Sequence, residues 1–244
     1  MGRTILDVYN EKHGQFIVLV SGLSSTGKTK LGKNIERDFR LKFLNMKNFV
    51  KKDYNKMSEL PNGKFVLNID SDDIYDWDKL NDEVNTNKKG VIIVGNVFPT
   101  NLLKFKPDYH IHLRMPKQIL KTKREAFIKA HPEKNYNLED EILRINALTY
   151  PYYMDVLNRM MINKFINILE LTPEKVYDIA FEEIIKFIWG NIPSPRKMTD
   201  SYSKSTTSDK KIDDSDDFHK DPYFSGEPMY DMAIDTDEDR VNNF

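Results

Sequence analysis

Residues 15–29 read QFIVLVSGLSSTGKT, and this stretch decides the fold. Its first half, residues 15–21, is a short apolar run rich in β-branched residues, a pattern typical of a strand buried on both faces of a sheet. From Lys28 onward, apolar residues recur at helical spacing as far as Phe43, with charged residues between them. The stretch therefore predicts a buried strand, a short loop and an amphipathic helix over 28–43.

Further apolar segments predict the remaining elements of an α/β fold. Strands are expected at 64–70, 91–95, 108–115 and 165–171, and helices at 116–131, 138–161 and 173–189. Apolar strands that alternate with helices favour a parallel sheet covered by helices on both sides. Right-handed crossovers restrict the topology to doubly wound arrangements. We therefore predict an α/β protein with a doubly wound parallel sheet over residues 1–190.

The loop after the first strand matches the pattern G-x-x-x-x-G-K-[ST], the P-loop. Its glycines let backbone N–H groups point inward, and the helix N-terminus adds its positive end, so the loop binds phosphate oxygens. Lys28 is expected to reach the β- and γ-phosphates, and the hydroxyl of Thr29 to bind Mg²⁺, which prefers oxygen ligands. The predicted cofactors are therefore ATP and Mg²⁺. The predicted binding residues are Gly22, Leu23, Ser24, Ser25, Thr26, Gly27, Lys28 and Thr29.

A bound nucleoside triphosphate is compatible with a kinase, a switch GTPase or a motor. The sequence has no N-K-x-D motif, which a GTPase uses to recognise its base. A motor usually has a larger chain with further signatures. The small size of this chain, 244 residues, favours phosphoryl transfer to a small molecule.

An acidic segment, NIDSDDIYDW over residues 68–77, follows the predicted strand at 64–70. Ligands of open α/β folds bind at the carboxyl ends of the strands, so carboxylates there are expected to meet Mg²⁺ or a hydroxyl nucleophile. A kinase uses one such carboxylate to orient and deprotonate the acceptor hydroxyl. The alternative is an Asp-rich turn that caps the next helix.

Together with the P-loop and the strand VIIVG, this segment resembles the uridine kinase and nicotinamide riboside kinase family. In that family the first Asp of a D-D-F-[FY] motif acts as the base toward the ribose 5′-hydroxyl. The resemblance therefore implies a catalytic role for Asp72, with Asp73 and Tyr75 at the substrate. It also implies that the acceptor is uridine or a related nucleoside.

The family's acidic residue after the next strand is absent, because Gly95 and Asn96 follow VIIV. We expect Asp70 to replace it in part at the metal. This departure keeps open a second hypothesis, a catalytically weakened nucleotide-binding protein that acts through partners. A polynucleotide 5′-kinase is a third, although it would need a basic track with exposed aromatic residues.

Residues 116–131 are similar to the family's lid, whose arginines neutralise charge on the transferring phosphoryl group. Arg124 is the best match, ahead of Lys121 and Lys123, and the alternative is an ordinary basic helix face. The segment at residues 150–153, YPYY, is similar to a W-P-x-Y segment of the riboside kinases and belongs either to the core or to the substrate pocket. Tyr75, Trp77 and Phe98 are candidate pocket walls.

The composition points to a soluble protein in a reducing compartment. There is no cysteine, which excludes disulfides, thiolate zinc sites and cysteine nucleophiles. No apolar run approaches the roughly 20 residues needed to cross a bilayer, and the N-terminus lacks a signal-peptide pattern. We predict a cytoplasmic location. The resemblance to uridine kinases, in a chain rich in Asn and Lys with such a tail, implies a member from a large DNA virus, for which the location would be the host cytoplasm.

The last part of the chain differs in composition from the rest. Residues 191–244 carry a net charge of −6, whereas residues 1–190 carry +5, which suits an anionic ligand. The segment is rich in Ser, Asp and Lys and has few aliphatic residues, so we predict a disordered tail. Its apolar pairs, Tyr223-Phe224 and Met229-Tyr230, suggest docking points for a protein partner, and the alternative is a passive solubilising tail.

Overall fold

The structure is a computed structural model, and it describes residues 3–192. The predicted tail lies outside the described residues from position 193 onward, and so do its two apolar pairs. Within 3–192, no helix combines the length and the apolar character needed to cross a lipid bilayer.

Residues 3–192 form seven α-helices and seven strands. The helices are α1 (Ile5–His13), α2 (Lys28–Phe39), α3 (Trp77–Thr86), α4 (Lys117–Ala130), α5 (Leu138–Arg144), α6 (Tyr150–Leu157) and α7 (Pro173–Asn191). The strands are β1 (Phe16–Gly22), β2 (Lys42–Asn45), β3 (Met57–Glu59), β4 (Phe65–Leu67), β5 (Gly90–Gly95), β6 (Tyr109–Arg114) and β7 (Lys164–Asn167). A π-helical segment, Ile145–Thr149, joins α5 to α6.

Five parallel strands form the main sheet, in the order β2-β5-β1-β6-β7. The central strand, β1, is buried along its whole length, as its apolar sequence predicts. The chain after β1 builds first one side of the sheet and then the other, so the loop at the carboxyl end of β1 lies at the topological switch point. The prediction of a doubly wound parallel sheet is confirmed.

The side chains of β1 alternate between two cores. Val18 and Val20 point to one face, where they pack with residues of α1, α2 and α7, such as Ile35. Ile17 and Leu19 point to the other face, toward α3 and the loops after β2 and β5. A third cluster, in which Leu23 packs against residues of α4 and α6, lies next to the loop after β1. Apolar side chains on both faces therefore hold the P-loop segment in place.

The helix predicted over 28–43 is too long. It ends at Phe39, because Arg40 adopts a left-handed conformation with φ of 54° and its backbone N–H closes the last turn on Glu36. Phe43 then lies in β2, which pairs with β5 at the edge of the sheet. The prediction failed because Phe43, which lies in a short strand, continues the helical spacing of the apolar residues before it. Residues 40–42 contain no Gly or Pro that would indicate the end of the helix.

The strand predicted at 64–70 exists only over 65–67 and is not part of the main sheet. It pairs antiparallel with β3 in a separate hairpin, closed by a turn at Gly63, where φ is 80°. The turn signal at residues 61–63 therefore reverses the chain onto the residues before it. The inference that the acidic segment follows a strand of the main sheet was wrong, and the strand beside β5 is β2 instead.

Candidate active site

The P-loop joins β1 to α2 with the backbone that a phosphate-binding loop needs. Gly27 has a left-handed conformation, with φ of 81°, and Ser25 has φ of 62°. Inside the turn, Oγ1 of Thr26 and Nζ of Lys28 both donate to the carbonyl oxygen of Leu23, over 2.9 and 3.1 Å. These bonds close the loop on itself at the N-terminus of α2, where backbone N–H groups have no helical acceptor.

A cavity of about 170 Å³ opens beside the loop. It brings together eight of the predicted site residues: Ser24, Ser25, Gly27, Lys28, Thr29, Asp70, Tyr75 and Arg124. Of the other loop positions, Leu23 and Thr26 are buried and serve the packing and hydrogen bonding of the turn. The charged side chains of the lining are four basic and two acidic ones, namely Lys28, Lys47, Arg124, Arg144, Asp70 and Glu141. An excess of positive charge suits a polyanionic ligand.

Asp70 is the carboxylate of the acidic segment that lines this cavity. Its Oδ2 atom accepts a hydrogen bond from the hydroxyl of Thr149 over 2.7 Å. Burial raises the pKa of Asp70 above its ordinary value, although the charge of Arg144 and the bond from Thr149 act in the opposite direction. A carboxylate in a cleft with a raised pKa is better able to take up a proton.

The acidic segment reaches the cavity because the chain after β2 holds it there. Tyr75 pairs with Val50 in an isolated antiparallel bridge. On either side of the bridge, the N–H of Lys51 donates to Ile74 and the N–H of Asp76 donates to Phe49. Since β2 ends next to β5, these bonds place the segment at the carboxyl edge of the main sheet even though its own strand lies elsewhere.

Asp72 and Asp73 have different surroundings from Asp70. The carboxylate of Asp72 accepts a hydrogen bond from the hydroxyl of Tyr152 over 2.6 Å, and its carbonyl oxygen accepts one from the indole of Trp77. Asp72 is not among the residues that line the cavity. Asp73 is exposed and forms an ion pair of 2.7 Å with Lys56. Of the three carboxylates, Asp70 alone lines the cavity, and the assignment of the base to Asp72 stays a prediction.

Two arginines line the cavity and share one carboxylate. Nε of Arg124 lies 2.9 Å from Oε2 of Glu141, and Nη2 of Arg144 lies 3.2 Å from the same oxygen. All three side chains are largely buried, with 15–18% of their surface exposed. Sequence reasoning found Arg124 but missed the other two. Glu141 and Arg144 are three residues apart on a predicted helix, a spacing that indicates an ion pair. The spacing does not indicate that the pair lines the cavity.

Helix α4 is also attached to the P-loop directly. Nζ of Lys123 donates to the carbonyl oxygen of Ser25 over 2.9 Å, and burial lowers the pKa of this ammonium group. Lys121 does not line the cavity. The predicted lid helix therefore contacts the loop through Lys123 and faces the cavity through Arg124.

Most of the predicted aromatic walls lie elsewhere. Tyr75 lines the cavity, whereas Phe98 is buried in the core under α3 and Trp77 packs against that core. In the segment at 150–153, Tyr152 binds Asp72 and Tyr153 is buried, and both rings also line a small second cavity that Asp70 and Tyr75 share.

A chain of hydrogen bonds runs through the core directly before the P-loop. Oγ of Ser21 lies 2.7 Å from Nε2 of His110 and 2.7 Å from Nδ1 of His112. The outer nitrogens of the two rings contact the carbonyl oxygen of Met161 and the hydroxyl of Tyr153. Because a carbonyl only accepts, His110 donates to Met161, Ser21 donates to His110, His112 donates to Ser21, and Tyr153 donates to His112. Burial lowers the pKa of His110 to about 4 and that of His112 to about 3, so both rings are neutral at neutral pH.

The cavity residues fit a magnesium ion that is bound together with a nucleotide. Thr29 and Asp70 contribute hydroxyl and carboxylate oxygens to the same cavity. In the part of the chain that the structure describes, no group of three or more His, Asp or Glu side chains is arranged to hold a metal. Mg²⁺ usually takes one or two protein ligands and completes its shell with phosphates and water.

Comparison with known proteins shows similar folds but no sequence family, since no family model and no curated protein matches the chain. A sugar kinase of Janibacter sp. HTCC2649 is similar with 14% identity and a TM-score of 0.43, over 70% of this chain and 95% of that one. A gluconokinase of Sinorhizobium meliloti 1021 gives 11% identity and a TM-score of 0.45, over 72% and 94%. A shikimate kinase of Acinetobacter baumannii in complex with shikimate gives 18% and 0.43, over 72% and 94%. Similarity at this level leaves activity and substrate to be judged from the residues of this chain.

Proposed function

We propose that this protein is a kinase that transfers the γ-phosphoryl group of ATP to a hydroxyl group of a small molecule. The observation that supports the proposal is a single cavity lined by the P-loop residues Lys28 and Thr29, by the carboxylate of Asp70 and by the guanidinium group of Arg124. A phosphate-binding loop alone would suit any nucleotide-dependent protein. The carboxylate with a raised pKa adds a group that can accept the proton of a hydroxyl.

Each of these four residues has a role in the proposed reaction. The backbone N–H groups of the P-loop and the ammonium group of Lys28 bind the phosphates. The hydroxyl of Thr29 holds Mg²⁺, which neutralises phosphate charge when it is bound. Arg124 stabilises the charge on the transferring group. Asp70 orients the acceptor hydroxyl, and a role at the metal is the alternative for this carboxylate.

The transfer step forms one bond and breaks one. The acceptor oxygen bonds to the γ-phosphorus while the bond from the γ-phosphorus to the bridging oxygen of the β-phosphate breaks. The proton of the acceptor hydroxyl passes to Asp70. The products are the phosphorylated acceptor and ADP.

The acceptor class is proposed from the sequence resemblance. Uridine or a related nucleoside is the first candidate, with Tyr75 in the cavity as an aromatic surface for a base. The resemblance assigned the base to Asp72, whereas the position of Asp70 favours that carboxylate instead. A nucleoside panel together with other small alcohols and a 5′-hydroxyl oligonucleotide covers the alternatives.

A second candidate is a nucleotide-binding protein with little catalytic activity, whose acidic C-terminal residues recruit a partner. Two observations favour it. Gly95, which lines the cavity, occupies the position where the resembling family has an acidic residue, and Asp72 is bound to Tyr152. Such a protein would bind ATP with Mg²⁺ but would phosphorylate none of the acceptors.

The test is incubation with ATP, Mg²⁺ and each acceptor, with ³¹P NMR to detect a new phosphate ester and calorimetry to measure nucleotide binding. We expect nucleotide binding and one class of phosphorylated product. The Lys28→Met variant should lose both, and the exposed Lys186→Met variant on α7 serves as the matched control. Binding without any product would favour the second candidate, and no binding of any purine triphosphate would refute both.

A further inference from the structure

The pair of arginines on the cavity wall has more binding capacity than Glu141 uses. Both guanidinium groups donate to the same carboxylate oxygen of Glu141, and Asp70 is the other acidic side chain of the cavity lining. Within the described chain, the Nε atom of Arg144 is buried and has no hydrogen-bond partner. A buried donor without an acceptor is rare in folded proteins and calls for an explanation, such as a ligand that supplies the acceptor.

The two arginines have different neighbours, although both contact the same oxygen of Glu141. Arg124 directly follows Lys123 on α4, and Lys123 binds the P-loop at Ser25. Arg144 directly precedes the segment whose Thr149 donates to Asp70, and its positive charge lowers the pKa of that carboxylate. Arg144 is therefore linked to the candidate base, and Arg124 to the helix that contacts the P-loop.

The π-helical segment keeps Arg144 and Asp70 on the same side of the cavity. Arg144 directly precedes this segment, and Thr149, at its end, donates to Asp70. The i to i+5 bonding of a π-helix brings residues five positions apart close to one face, which an α-helix would not do. Such π-helical insertions are frequent at functional sites.

We infer that Arg144 binds an oxyanion carried by the acceptor, so that the acceptor is an alcohol with a carboxylate or phosphate group and not a neutral nucleoside. This inference rests on the proposed kinase function and replaces the neutral nucleoside, which the sequence resemblance alone suggests, with an anionic acceptor. Arginine suits the task, because its planar group donates two parallel hydrogen bonds to either oxyanion. While Asp70 orients the hydroxyl, Arg144 would bind the oxyanion of the same molecule.

Matched acceptors test the inference on the unaltered protein. One pair is uridine 3′-monophosphate and uridine, and the other is a polyhydroxy carboxylic acid and its amide. Binding of a non-hydrolysable ATP analogue with Mg²⁺ is measured first, followed by the dissociation constant of each acceptor in its presence. We expect one acid to bind at least about 10-fold more tightly than its neutral partner. The pair that discriminates identifies the phosphate or the carboxylate.

Variants assign the discrimination to Arg144. Arg144→Gln should weaken binding of the acid by about 10- to 100-fold. The affinities for its neutral partner and for the ATP analogue should stay unchanged. Arg144→Lys, which keeps the charge, should restore part of the affinity. Glu141→Gln should strengthen binding of the acid, since it releases both arginines from their carboxylate. Arg159→Gln, which changes an exposed residue paired with Asp155, is the control.

Several results would overturn the inference. These are equal binding of acid and neutral partner, a loss of ATP-analogue binding in Arg144→Gln in place of acceptor binding, and failure of every anionic acceptor to bind a protein that binds the nucleotide. Should Arg144→Gln not fold, the comparison of matched acceptors on the unaltered protein still decides. A protein that binds no nucleotide at all would refute the kinase proposal itself, which is a separate result.

Discussion

The hydroxyl of Tyr152 donates a hydrogen bond to Oδ1 of Asp72 over 2.6 Å. This bond holds Asp72 against α6, whereas Asp70 lines the cavity with Lys28. We therefore expect Asp70→Asn to lower kcat by about 10²- to 10⁴-fold, the usual contribution of a general base, with nucleotide affinity retained. Asp72→Asn should keep most of the activity and lose about 1 kcal/mol of stability, because a charge-assisted bond becomes a neutral one.

Steady-state kinetics and chemical denaturation of the two variants give the comparison. The opposite pattern, with activity lost in Asp72→Asn and kept in Asp70→Asn, would return the base to the position that the sequence resemblance implies. An equal loss of activity in both variants would mean that the reaction depends on both carboxylates of the segment.

The raised pKa of Asp70 also predicts how the rate depends on pH. A base acts only when it is ionised, so kcat should fall as the pH falls through the pKa of Asp70, which lies above the ordinary value of 3.8. The acid limb of the profile should disappear in the residual activity of Asp70→Asn. A pH–rate profile in which this limb persists in the variant would assign it to another group.

The same carboxylate should reduce stability at neutral pH. Since its pKa is higher in the folded than in the unfolded chain, the folded state binds the proton more tightly, and the free energy of unfolding decreases as the pH rises through that range. Asp70→Asn should therefore melt at a higher temperature than the unaltered protein at pH 7. Thermal melts without nucleotide at pH 7 and pH 4 measure the effect, which should shrink at the lower pH.

The buried histidines predict sensitivity to acid. In the unfolded chain both rings ionise near the ordinary value of 6.5, whereas burial lowers the pKa of His110 to about 4 and that of His112 to about 3. The unfolded chain thus binds more protons below pH 6.5, and the free energy of unfolding should fall as the pH drops from about 6.5 toward 4. Each unit of difference in pKa corresponds to about 1.4 kcal/mol.

Urea denaturation of His110→Gln between pH 7 and pH 4.5 tests this origin of the acid sensitivity. The variant should lose about 1–3 kcal/mol at pH 7, since the bonds of Ser21 are broken, but its stability should depend less on pH. His13→Gln, at an exposed position, serves as the control. An unchanged pH dependence in His110→Gln would place the effect in other groups.

The first glycine of the P-loop should not tolerate a side chain. A Cβ atom at Gly22 would lie 2.8 Å from the carbonyl oxygen of Leu113 and 2.9 Å from Oγ1 of Thr26. Gly22→Ala should therefore cost about 1–3 kcal/mol and abolish nucleotide binding, because β1 and β6 would have to separate. Gly190→Ala, where nothing lies within 4 Å, should be neutral or stabilising by up to about 1 kcal/mol. Melting temperatures and calorimetry with ATP and Mg²⁺ distinguish the two.

The parts of the fold that were predictable from the sequence are those in which local pattern and burial agree. An apolar run such as 91–95 has no polar face for solvent, so it favours a strand that is buried on both sides of a sheet. The P-loop pattern requires a strand before it and a helix after it. The prediction failed at Phe43, which lies in a short strand because it pairs with the distant Ile92, and at 64–70, where the strand pairs with β3 in a local hairpin. Helix α1 was also missed, although Thr4 and Asp7 form a capping box at its start.

By itself, the sequence determined the central strands, the P-loop and the location of an acidic segment after it. The tertiary structure alone decided which carboxylate of that segment lines the cavity beside the P-loop, since this depends on the bridge between Val50 and Tyr75 and on the bond from Tyr152 to Asp72. It also decided that Arg144 joins the cavity. The physical reason is that a P-loop is built from neighbouring residues, whereas the rest of the cavity lining is assembled by contacts between segments roughly 70–80 residues apart in the chain, as the bond from Thr149 to Asp70 shows.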